Sequence, residues 1–182
     1  MNEDIPYVHE RVTASRLLST TAAHVSGRLD AFCSWLLFGA GAAYALVLAH
    51  WAQLQSLVAP HTLQVSLLLL LAAIVVGIFQ RWLAAMVAAS FATAEKAGQL
   101  GAELATRGIN IDFAVVFAEM ERGLFYPAKW LARSSFKKAV AGDFAAGGRL
   151  AAYISQIQSW LALALVGLVV AAVAVTVAGV KV

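Results

Sequence analysis

Twenty-two of the 23 charged side chains in this chain fall in two blocks, residues 1–30 and 81–149. The 50 residues from Ala31 to Gln80 carry none, and neither do the 31 from Leu150 to Val180, before Lys181. A charge at the centre of a spanning helix costs about 2.5 to 3.5 kcal/mol on insertion scales. A bilayer core takes roughly 20 helical residues. The first uncharged stretch therefore has room for two spans and a turn, and the second for one. The expected fold is an all-α integral membrane protein with three transmembrane helices. A composition that is 62% hydrophobic agrees with it.

His50, Gln53, Gln55, Ser56, His61, Thr62 and Gln64 surround Pro60 and place the turn. The expected order has six parts. Residues 1–30 form a cytoplasmic amphipathic helix leading into span one at 31–51. A short external hairpin, 52–61, joins it to span two at 62–80. A helical cytoplasmic region, 81–156, precedes span three at 157–180. Of the 13 Lys and Arg, 12 lie before span one or between spans two and three, and only Lys181 lies elsewhere. Basic segments beside spans stay cytoplasmic, so the N-terminus is expected inside and the C-terminus outside. Trp35, Trp51, Trp82 and Trp160 fall near expected span ends, where indole rings favour the interface. Glu3 and Asp4 ahead of the first apolar run argue against a cleaved signal peptide.

The spans read as parts of longer helices. Leu18, Ala22, Val25, Leu29, Phe32, Leu36, Gly39, Ala43 and Leu46 recur at steps of four and three without a break, with Gly27 as a weak point. Span two continues through Trp82, Ala85, Ala89 and Ala92, which predicts a helix from Thr62 to about Arg107. Gly98, Gly101 and Gly108 are places for it to end. On helix three a stripe from Leu150, Tyr153, Ile157 and Trp160 passes into small residues, Ala164, Gly167, Ala171, Ala174 and Ala178. Small residues allow backbones to approach closely in a membrane, which marks these five as a packing face for the internal bundle or for a second copy.

In the 81–156 region, Phe113, Val116, Phe117 and Met120 repeat at helical spacing behind an Asn110 or Asp112 cap, with Gly123 as the end. A second helix follows, with Pro127 in its first turn. Lys129, Arg133 and Lys137 share a side, Lys138 and Trp130 lie beside them, and the set is a candidate contact with anionic headgroups or a protein partner. Positive-inside bias alone also explains such charges. Nucleic acid is the least favoured occupant. Asp143 is expected to cap helix three, and Gly147 and Gly148 to form a flexible point.

Catalytic patterns are absent: no His-Glu-x-x-His, no phosphate loop, no Gly-x-Ser-x-Gly, and a single cysteine, Cys33. Glu119 and Glu121 point to different sides of a helix and read as solvated charges. His50 and His61 lack the further ligands a metal requires. Tyr44, Ser34, Ser66 and Thr176 are too few for a transport relay. No enzyme activity, cofactor or metal is expected. The reading that remains is a structural or regulatory subunit of a bacterial inner-membrane assembly. It would contact membrane lipids and either itself or other membrane subunits. A homo-oligomeric channel and an immunity or exclusion factor are the alternatives.

Overall fold

The computed structural model describes residues 8–109, 112–123, 126, 128–143 and 145–180. Its elements are helices: α1 (Val8–Ala49), α2 (Trp51–Leu54), α3 (Pro60–Thr106), α4 (Phe113–Gly123), α5 (Ala128–Val140) and α6 (Ala146–Ala178). Three of them, α1, α3 and α6, are long and apolar enough to cross a membrane. α3 has 47 residues, more than twice the roughly 20 that a span requires. Pro60 stands first in α3, where its missing N–H costs nothing. α1 runs through Gly27 and α3 through Gly98 and Gly101 without interruption.

The chain divides into two compact units. One comprises Val25–Met86 and Gln156–Val182. Its core has two clusters. Cys33, Ala73, Ala162, Leu165 and Val169 form one, and Tyr44, Leu63, Leu70 and Ala172 the other. Gly77 belongs to this core because a β-carbon there would stand 2.4 Å from Leu37 Cδ1. The end of α6 is tied to the start of α3: the Ala59 N–H donates to the Gly179 carbonyl at 3.2 Å, and Val58 and Val180 form an antiparallel bridge.

The other unit comprises Met1–His24 and Val87–Ser155. α4 and α5 pack through a stacked Phe117–Phe136 pair, centroids 4.9 Å apart, and through Arg133 Nε to Glu121 Oε1 at 3.3 Å. Glu119 pairs with Arg122 on its own helix, so both carboxylates are surface charges with partners. Asp112 Oδ1 accepts the Ala114 N–H at 2.8 Å and caps α4; Asn110 and Pro127 lie outside the described residues. The Asp143 carboxylate engages the Arg149 guanidinium of α6. Gly147 and Gly148 are no flexible point either. Both lie in the first turn of α6, and Gly148 is buried where a β-carbon would meet Ser15 O at 2.5 Å. The glycine is there to let two backbones touch.

α3 and α6 are rotated from the sequence expectation, and α1 keeps part of its expected stripe. On α1, Ala22 of the expected stripe is buried and Leu29 and Leu36 pack against the core beside Ser26, Cys33 and Tyr44, while Phe32 and Leu46 of the same stripe are exposed. α3 turns Ala73, Gln80, Ala84 and Val87 inward and Trp82 outward, and α6 turns Gln158, Ala162, Leu165, Val169 and Ala172 inward. In water the largest apolar residues define the core. In hydrocarbon the lipid accepts them equally well, and small or polar residues take the interior.

Candidate functional site

The unit of residues 25–86 and 156–182 holds two polar layers among its inward-facing residues. The first joins all three of its long helices. The Tyr44 hydroxyl on α1 contacts the Ser66 hydroxyl on α3 and lies 3.0 Å from Thr176 Oγ1 on α6. Ser66 Oγ and Thr176 Oγ1 are 2.7 Å apart. Both hydroxyls also reach the Ala172 carbonyl, Ser66 at 2.6 Å and Thr176 at 3.0 Å. Three of the four polar side chains that the sequence left scattered through the spans are thus one network. Its donors and acceptors satisfy each other, which suits it to locking the helices in register and leaves little for a solute.

The second layer lies toward the end of the unit away from the 50–59 connection, and it is unsatisfied. Gln158 on α6 is 0% exposed and donates from Nε2 to the Ser26 carbonyl of α1 at 3.3 Å, while its Oε1 has no partner. Ser26 Oγ, Asp30 Oδ1 and the Nε2 of Gln80 on α3 are buried without partners too. Buried polar atoms are normally paired, by protein or by a bound group, because desolvating them otherwise costs about 1 to 3 kcal/mol each. These four atoms, spread over three helices of the unit, set this polar group apart from the self-satisfied network. Sequence reasoning missed it, although a signal was present. Gln80 continues Ala73 and Gly77 at steps of four and three, and Gln158 precedes Ala162 and Leu165 by the same steps, so each glutamine shares a face with core residues.

The expected small-residue face on α6 is not the one used inside the unit. Ala164, Gly167, Ala174 and Ala178 are exposed and Ala171 is half-buried, and a β-carbon on Gly167 would meet nothing within 4 Å. The basic set on α5 is also turned outward. Trp130 is 67% exposed, Arg133, Lys137 and Lys138 are exposed, and Lys129 is half-buried. His50 Nδ1, just past the end of α1, lies 3.0 Å from the Leu46 carbonyl. Among the described residues no three of His, Cys, Asp and Glu gather as metal ligands.

No family description, curated protein or solved structure matches the chain. The reading of function therefore rests on the geometry above.

Proposed function

We propose that this protein is a non-enzymatic structural or regulatory subunit of an assembly in a bacterial cytoplasmic membrane. In this reading α1, α3 and α6 cross the bilayer, the N-terminus and residues 81–156 are cytoplasmic, and the C-terminus is outside. The observation that carries it is the division of labour on α6. Gln158, Ala162, Leu165, Val169 and Ala172 serve the internal bundle, and Ala164, Gly167, Ala171, Ala174 and Ala178 are left open to a neighbouring helix. A helix that places small residues on a second face is suited to a second close contact, with another copy of the chain or another membrane subunit. The outward α5 set of Lys129, Trp130, Arg133, Lys137 and Lys138 supplies a further contact face toward a partner or the inner-leaflet surface. The self-satisfied Tyr44–Ser66–Thr176 network fits a bundle built to hold its shape.

Native mass spectrometry of the full chain in mild detergent tests this reading. The expected result is a higher-order species or a stoichiometric co-purifying membrane protein. A strictly monomeric species with nothing bound but lipid would reject it.

A further inference from the structure

α1 and α3 leave an opening of about 190 Å³ within the unit of residues 25–86 and 156–182. The two helices run antiparallel there, since Tyr44 meets Ser66 while Leu37 meets Gly77. Polarity changes along the opening in one direction on both helices. Arg81, Gln80 and Ser34 line one end, and Leu37, Ile74 and Ile78 line the other. Gln80 is 1% exposed and its Nε2 has no hydrogen-bond partner. Among the described residues Arg81 enters no ion pair, although it is the first charge after 50 uncharged positions.

We propose that this opening seats the headgroup of one phospholipid. Arg81 and the Gln80 amide take the phosphate, the Ser34 hydroxyl adds a donor, and the first acyl carbons lie along Leu37, Ile74 and Ile78. A cationic guanidinium and an amide donor suit a phosphate oxyanion, and the apolar end continues as the acyl chains require. The proposal rests on α1 and α3 crossing the bilayer and is independent of the subunit role.

The test is native mass spectrometry of the delipidated full chain with three separate additions: phosphatidylethanolamine, phosphatidylglycerol and inorganic phosphate. One phospholipid per chain, with either headgroup, is expected to persist, and inorganic phosphate is expected not to be retained. Arg81→Gln should weaken retention about tenfold, the effect of one charge-assisted hydrogen bond. Gln80→Leu should also weaken it while raising the thermal midpoint of the lipid-free protein, because it removes a buried unpaired donor. Equal retention by wild type, Arg81→Gln and Gln80→Leu would overturn the site, and so would displacement of lipid by inorganic phosphate. Failure of the chain to fractionate with membranes would remove the spanning assignment itself, and the subunit reading fails separately, on oligomeric state.

Discussion

At the scale of single residues, two kinds of contact hold the helices together, and each gives its own prediction. Ser66 is the hub of the first, because its hydroxyl contacts Tyr44, Thr176 Oγ1 and the Ala172 carbonyl. Interhelical hydrogen bonds in membranes average about 0.6 kcal/mol and reach about 1.7. Ser66→Ala should therefore cost about 1 to 2 kcal/mol in reversible unfolding from mixed micelles. Thr176→Val should cost less, since it leaves the Tyr44–Ser66 contact in place. The second kind is glycine at a close approach. A β-carbon on Gly148 would stand 2.5 Å from Ser15 O and 2.7 Å from Ser15 Cα, and backbone atoms cannot give way as a flexible side chain would. Gly148→Ala should destabilise by about 1 to 3 kcal/mol, as overpacking does. Its neighbour should respond with the opposite sign. At Gly147 the nearest atom is Ser135 Oγ at 3.8 Å, an ordinary contact, so Gly147→Ala should gain up to about 1 kcal/mol from helix propensity alone. Equal melting shifts for the two variants would contradict the close approach.

At the scale of elements, the helix ends obey local chemistry. α3 stops at Thr106 with Gly108 at φ +71°, and the Ile109 N–H donates to the Leu104 carbonyl at 3.0 Å. α5 ends the same way, with Gly142 at φ +88° and the Asp143 N–H on the Lys138 carbonyl at 2.9 Å. Both are left-handed glycine terminations of the Schellman type. Gly108→Ala should cost about 1 to 2 kcal/mol, the penalty of a β-carbon in that conformation. Asp112→Ala should cost about 1 kcal/mol and raise hydrogen exchange across Phe113–Gly123 more than across Ala128–Val140. The Gly108 end and the Asp112 cap were legible in sequence because left-handed glycines and caps act through neighbouring residues, while the Gly142 end of α5 was passed over. Helix rotation was not legible, because it depends on the solvent. The expected stripe through Phe32 and Leu46 follows the rule for water, yet Ser26, Cys33 and Tyr44 occupy the interior. The polar layers were missed for the same cause. Gln80 and Gln158 look like span-end residues when counted along the chain, and become core residues only once the small residues beside them are read as the inward face. The glycine pair at 147 and 148 was misread because close approach depends on Ser15, which is distant in sequence.

At the scale of the whole molecule, the charge partition that leaves three helices long and apolar enough to cross a membrane also limits what can hold an assembly together. The uncharged spans offer no ion pairs for subunits to recognise, so contact within the bilayer must come from shape and close packing. On α6 this distinguishes two faces that a cysteine scan can read directly. With Cys33 replaced by Ser, single cysteines are placed at Gly167, Ala171 and Ala174 on the open face, and at Leu165 and Ala172 on the internal one. Oxidation in native membranes should give a disulfide-linked dimer for the first group, peaking at helical spacing. It should give none for the second, because Leu165 and Ala172 are 0% exposed inside one chain. The control matters because random collision in a crowded membrane crosslinks any exposed position without periodicity. A flat profile over residues 164–178, or dimers from the internal positions, would remove self-association through this face. Adducts that peak at the same spacing but carry a different mass would instead identify the face as the seat of another subunit. The spacing of the signal locates the contact, and its mass distinguishes a second copy from a foreign partner.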